Sequence, residues 1–92
     1  MATITVERTG DTTYRVTIEE GPSRSVHDVN ATADHVQRYA PGASPERLVE
    51  ASFEFLLERE PKESILPRFD LPVIERYFPD YPRAIRHRAR EH

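Results

Sequence analysis

The sequence predicts an α+β fold, with an N-terminal three-stranded antiparallel meander packed against three to four C-terminal helices. Three observations carry this expectation. Residues 3–19 alternate apolar and polar side chains with β-branched enrichment, residues 45–59 place apolar side chains around most of a helical circumference, and seven of the eight prolines lie beyond residue 40. The first is the period of half-buried strands, the second that of a helix covered on two sides, and the third limits the remaining helices to a few turns.

The first two strands follow from Ile4 and Val6 set among Thr3, Thr5 and Glu7, and from Tyr14, Val16 and Ile18 set among Thr13, Arg15, Thr17 and Glu19. Between them lies Thr9-Gly10-Asp11-Thr12. A two-residue Gly10-Asp11 turn would pair Val6 with Arg15 and send the two apolar sets to opposite faces. An odd-numbered loop of three or five residues is therefore expected, bringing Val6 opposite Tyr14 or Val16. Gly21-Pro22-Ser23 is a turn signal, and Arg24 to Ala31, with Val26 and Val29 around His27 and Asp28, reads as an edge strand that completes the meander.

Thr32 is placed to cap a short helix through about Tyr39, with Asp34 in its first turn and Pro41-Gly42 to stop it. Ser44-Pro45-Glu46 opens the best-specified element, a helix from Pro45 to about Arg59 that Pro61 ends. Arg47, Glu50, Glu54 and Glu58 form one narrow polar stripe on it. Phe53 and Phe55 sit about 200° apart, so this helix must be buried on two sides. Its cover is expected to be the sheet on one side and the C-terminal helices or a second subunit on the other. Further on, Ser64-Ile65-Leu66 reads as a short turn, Asp70 as the cap of a two-turn helix in which Leu71, Ile74 and Phe78 share a face, and Asp80 as the cap of a final helix starting near Tyr81.

At 92 residues and 10.7 kDa the chain has room for one core, which typically serves roughly 100 to 150 residues. We expect residues 1–82 to form a single domain and residues 83–92 a basic helical tail. Hydrophobic residues make up 37% and charged residues 32%, a globular composition. There is no cysteine, which excludes disulfides, thiolate metal sites and thiol catalysis together. No apolar run approaches the ~20 residues that span a bilayer, and nothing at the N-terminus has a signal-peptide pattern, so a cytoplasmic protein without membrane contact is expected. The net charge of -3 is unevenly placed: Arg83, Arg86, Arg88 and Arg90 against Glu91 give the last ten residues +3, which leaves nine basic and fifteen acidic residues, or -6, for the rest.

No constellation carries chemistry. His27, Asp28 and His35 are the nearest approach to a metal site, but neighbouring strand residues point to opposite faces, and eight positions from His27 to His35 matches no same-face spacing. His27 is instead expected at the sheet with one hydrogen bond and His35 on an exposed helical turn. The serines include no Gly-x-Ser-x-Gly elbow, and Gly10, Gly21 and Gly42 are too scattered for a phosphate loop. Glu50, Glu54 and Glu58 read as a solvated stripe. No enzyme activity, metal or cofactor is expected.

Two clusters remain. Tyr77-Phe78-Pro79-Asp80-Tyr81-Pro82 holds three of the eight aromatic residues. Such a segment is more commonly a packed helix-helix corner, and as an anchor patch it supplies, with Phe55, the candidate partner contacts Phe55, Tyr77, Phe78 and Tyr81. Arg83, Arg86, His87 and Arg90 follow i, i+3, i+4, i+7 and would form one basic face able to neutralise nucleic-acid phosphates. Residues 52–81, including Phe53-Glu54-Phe55-Leu56-Leu57-Glu58-Arg59-Glu60-Pro61 and Ile74-Glu75-Arg76-Tyr77-Phe78-Pro79, resemble small bacterial proteins of uncharacterised function. That resemblance implies a bacterial cytoplasmic origin and brings no activity or site. The expected function is a small non-enzymatic protein-interaction or regulatory module that self-associates or binds an unknown protein partner. The alternative is a nucleic-acid-associated accessory protein using the Arg-rich tail.

Overall fold

A computed structural model describes residues 2–90, the side chain of Arg90 excepted. The chain runs through β1 (Ala2–Arg8), β2 (Thr13–Glu20), β3 (Ser23–Asn30), α1 (Ala33–Tyr39), α2 (Pro45–Leu57), a single 3-10 turn (Lys62–Ser64), β4 (Arg68–Asp70), α3 (Val73–Tyr77) and α4 (Tyr81–Arg90). The class is α+β as expected. The sheet, however, has four strands in the order β1-β2-β3-β4, and the last pair is parallel.

The hairpin parity is as the alternation requires. Val6 lies opposite Val16 and Arg8 opposite Tyr14, with the odd-numbered connection Thr9–Thr13 between. Thr9 N–H donates to the Thr13 carbonyl at 2.9 Å and closes the loop. The β2–β3 connection is the two-residue turn Gly21-Pro22, where Gly21 takes a φ of 58°, the left-handed backbone that such a tight turn needs at its first position. Tyr14, Val16 and Ile18 consequently share the inner face with Ile4 and Val6, while Thr3, Thr5, Glu7, Arg15, Thr17 and Glu19 face outward.

Strand β3 corrects the expected edge assignment. It is an interior strand, with β2 on one side and β4 on the other. Its inward positions are Ser25, His27 and Val29, so His27 is buried in the core and Val26 faces solvent at 43% exposure. Strand β4 was not anticipated, because three residues between Pro67 and Leu71-Pro72 are too few to show a period. It is held by Asp28 N–H to the Pro67 carbonyl at 2.8 Å and Leu71 N–H to the Asn30 carbonyl at 3.0 Å. Asp70 therefore ends a strand instead of capping a helix, and α3 starts without a side-chain cap.

The helices lie over one face of this sheet. Thr32 caps α1 through a reciprocal pair, its Oγ1 accepting from His35 N–H at 3.2 Å while its own N–H donates to His35 Nδ1 at 3.0 Å. His35 is thus part of a capping box. Ser44 caps α2 by accepting from Arg47 N–H at 3.1 Å. Helix α2 buries Leu48, Val49, Ala51, Phe53, Phe55 and Leu56, whereas Leu57 is only partly covered.

The two-sided burial of α2 is satisfied within the chain. Phe53 faces the sheet, with its ring centroid 5.5 Å from that of His27 and 5.9 Å from that of Phe69. Phe55 faces the other way, 5.4 Å from Tyr81 and 5.9 Å from Phe78. Helix α4 supplies this second cover and buries Tyr81, Ile85 and Ala89. The boundary expected at residue 82/83 accordingly falls inside α4, whose spacing of Tyr81, Ile85 and Ala89 makes it part of the packed body instead of a tail. Residues 91 and 92 of the expected tail lie outside the described residues.

Candidate functional site

The site is a groove of about 200 Å³ between the C-terminal end of α2, β4 and α3. Leu56, Phe69, Ile74 and Phe78 line its interior, and Leu66 and Tyr77 stand on its rim. Glu60 is its single charged lining residue among those described. Among the described residues Leu66, at 42% exposure, and Tyr77, at 66%, are two of the three large hydrophobic residues left exposed, the third being Val26 on the far face of the sheet. Apolar exposure is therefore concentrated here.

Each wall has a local cause. The buried ring of His27 fixes the Leu66 side. Its Nδ1–H donates to the Leu66 carbonyl at 2.9 Å, and because that carbonyl only accepts, Nε2 is left to accept from Ser25 Oγ–H, also at 2.9 Å. His27 thus makes two hydrogen bonds, one more than expected, and ties the segment before β4 to β3. On the opposite side Glu75 of α3 accepts from Tyr39 Oη–H at 2.8 Å and from Arg38 Nη2 at 3.2 Å, which draws α3 against α1. Burial and the Glu75 hydrogen bond push the Tyr39 hydroxyl up to about 12, so it stays protonated as the donor. Pro72 and Pro79 bracket α3, which leaves Tyr77 at the end of a five-residue helix with its ring outward.

Of the four candidate partner contacts, Tyr77 and Phe78 line the groove, and Phe78 is partly buried. Phe55 and Tyr81 are corrected to interior residues. Ser52 Oγ donates to the Leu48 carbonyl at 2.7 Å and so accepts the Tyr81 hydroxyl, also at 2.7 Å, while the Tyr81 ring packs 5.0 Å from that of Tyr39. Burial raises the Tyr81 hydroxyl well above its ordinary value. The Arg59 guanidinium lies 4.0 Å from the centroid of Phe55, closing that ring off from solvent, and pairs with Asp80. Neither ring is presented to a partner.

The basic face is divided. Arg83, Arg86 and His87 are exposed together along α4, beside Pro82. Arg88, on the adjoining side, pairs with Glu58 at 2.7 Å and Glu54 at 3.9 Å, and its carbonyl accepts from Arg47 Nη2 at 3.1 Å. Arg47 also pairs with Glu50 at 2.9 Å and Glu54 at 3.5 Å. The acidic stripe of α2 is therefore a seam that fastens α4, its three carboxylates each paired with one or both of these two arginines. The Arg90 side chain lies outside the described residues.

His27 and Asp28 point to opposite faces of β3, and among the described residues no group of three or more His, Cys, Asp or Glu comes together where it could hold a metal. Lys62, the single lysine, is buried with its ammonium 3.3 Å from Glu20 and paired with Glu63, which raises the lysine and lowers the Glu63 carboxyl. No helix among the described residues is long and apolar enough to cross a membrane.

Leu66 and His27 are the site residues that sequence reasoning missed. The inward series Ser25-His27-Val29 is visible as alternation once His27 is admitted as a core residue. Comparisons of the chain with protein-family models, with curated proteins and with solved structures each found no match. What the chain does is read from its own geometry.

Proposed function

We propose that this protein is a small non-enzymatic interaction module, cytoplasmic in setting, whose groove between α2, β4 and α3 takes apolar side chains of a partner protein. The observation that carries this reading is the coincidence of the apolar groove with Leu66 and Tyr77, two of the three exposed large hydrophobics among the described residues. At about 200 Å³ the groove is below the roughly 300 to 1,000 Å³ of pockets that enclose cofactors or metabolites, and it suits one or two side chains. An exposed tyrosine beside it offers large, rigid contact area at low entropic cost.

The test compares wild type with Tyr77→Ser, which removes the exposed ring and leaves the core untouched. A partner retained by the wild type at high salt and released by Tyr77→Ser is the expected result. Equal retention by both proteins would remove the groove as the contact. A second reading, nucleic-acid association, is favoured by the joint exposure of Arg83, Arg86 and His87 on α4. Under it, binding to duplex DNA would weaken with salt at a slope near −0.9 per phosphate contacted, and Arg83→Ala with Arg86→Ala would flatten that slope by about 2. A slope unchanged by the double substitution would exclude α4.

A further inference from the structure

We infer that the open edge of β1 pairs with β1 of a second copy of this chain, antiparallel about a two-fold axis through Thr5, joining two four-stranded sheets into one of eight strands. The starting point is hydrogen-bond parity. In an antiparallel sheet alternate residues direct their N–H and C=O groups to one neighbour and then to the other. Thr9 bonds to Thr13, so counting back along the register of β1 and β2 makes Glu7↔Arg15, Thr5↔Thr17 and Thr3↔Glu19 the hydrogen-bonded pairs. The β2–β3 side agrees independently: the two-residue turn closes on Glu20↔Ser23, which assigns the even residues of β2 to β3 and the odd ones to β1.

The backbone groups of Ala2, Ile4, Val6 and Arg8 therefore face away from the sheet. Among the described residues no backbone hydrogen bond outside the strand ladders reaches them, and within the β1–β2 ladder the parity assigns the bonds to Thr3, Thr5 and Glu7. The strand is seven residues long and contains no proline, and its Arg8 side chain folds back onto the Gly10 and Asp11 carbonyls at 3.0 and 2.9 Å, away from the edge. Such an edge is a template for a further strand.

Self-complementarity selects a second copy as the occupant. With Thr5 on the axis, Ile4 meets Val6 of the other chain and Ala2 meets Arg8, so all four outward residues of each strand pair with outward residues. The same register keeps Ile4 and Val6, half-buried in one chain, on a common inner face. On the outer face Thr5 meets Thr5 and Glu7 meets Thr3, so no like charges are opposed. The assembly closes at two, because pairing consumes this edge and the other edge strand, β4, has only three residues. The inference is independent of the groove, which lies by β4 at the opposite side of the sheet.

Thr5 is exposed, so charge can be placed on the axis without disturbing the core. Light scattering over a concentration series up to high micromolar should show wild type moving from the mass of one chain to that of two. Thr5→Lys and Thr5→Glu, each folded by circular dichroism, should each remain at one chain, because like charges then meet directly. An equimolar mixture of the two variants should regain the two-chain mass. A monomeric wild type, a dimer that survives either substitution alone, a mixture that stays monomeric, or growth beyond two chains would each overturn the pairing.

Discussion

The two edges of the sheet are built on opposite plans. At the β4 edge the strand is three residues long, lies between Pro67 and Pro72, and is held from the core side by His27 and from the helix side by α3 packed against α1. At the β1 edge the strand has seven residues, no proline and a row of outward backbone groups, with α2 packed against it. Short length and flanking proline are the means by which proteins blunt an edge against pairing. One edge is closed by such means and the other is not. The difference teaches that exposed apolar surface and exposed hydrogen-bonding surface have been separated, with Leu66 and Tyr77 on the closed side and Ala2 to Arg8 on the open side.

The largest effect should come from beneath the closed edge. Phe53 touches both His27 and Phe69, so Phe53→Ala leaves a cavity under β3 and β4 and should cost about 3 to 5 kcal/mol in chemical denaturation. A denaturation midpoint equal to that of wild type would mean that the Phe53 ring does not fill the space beneath His27 and Phe69. A paired substitution then sharpens the contrast along β1. Thr5 N–H belongs to the β1–β2 ladder, whereas Ile4 N–H points outward, so Thr5→Pro should be less stable than Ile4→Pro by about 1 to 3 kcal/mol. Equal stabilities would reverse the parity assigned to this strand.

Sequence reasoning reached the open edge and the helical layer more readily than the closed edge, for physical reasons. The parity of β1 and β2 is a property of consecutive side chains, so it could be read from Ile4, Val6, Tyr14, Val16 and Ile18 alone. The caps Thr32 and Ser44 are likewise local, since each satisfies backbone groups within three residues. Strand β4 is the opposite case: Arg68-Phe69-Asp70 is extended because β3 lies beside it, and Asp70 two residues before Pro72 looks the same locally whether it ends a strand or caps a helix. Phe55 and Tyr81 were misplaced for a related reason. An aromatic residue near prolines has the same local pattern on a surface as in a core, and only the fold-back of α4, through Tyr81, Ile85 and Ala89, decides between them. The groove itself is made by three separate segments meeting, and Leu66 belongs to it through a carbonyl contact with His27 thirty-nine residues earlier.

His27 gives the next test, and it is a local one. His27→Ala would leave the Leu66 carbonyl without its donor and detach the segment leading into β4, at a cost of about 1 to 3 kcal/mol. Hydrogen exchange should rise at the amides of Asp28 and Leu71, which bond across β3 and the β4 segment, while the β1–β2 amides keep their protection. Uniform loss of protection across all four strands would mean that the closed edge is not a separate unit.

The smallest effect at neutral pH should come from Tyr39→Phe, which keeps the ring and removes only the hydroxyl that holds Glu75 of α3, for about 0.5 to 1.5 kcal/mol. Its value lies in the alkaline limb. Burial first, and the Glu75 hydrogen bond second, raise the Tyr39 hydroxyl from 10.0 to about 12, so the unfolded chain releases this proton before the folded one does. The unfolded state then binds fewer protons between those two values, and stability must fall as pH rises through that window, whereas below pH 10 the contribution is fully present. Tyr81 and Tyr14, both raised chiefly by burial, act in the same direction. Wild type should therefore lose stability from about pH 10 upward, and Tyr39→Phe should show a shallower loss across the same range. Parallel curves for the two proteins would mean that the Tyr39 hydroxyl is as solvated in the folded chain as in the unfolded one, and α3 would then lose the bond that anchors it beside the closed edge.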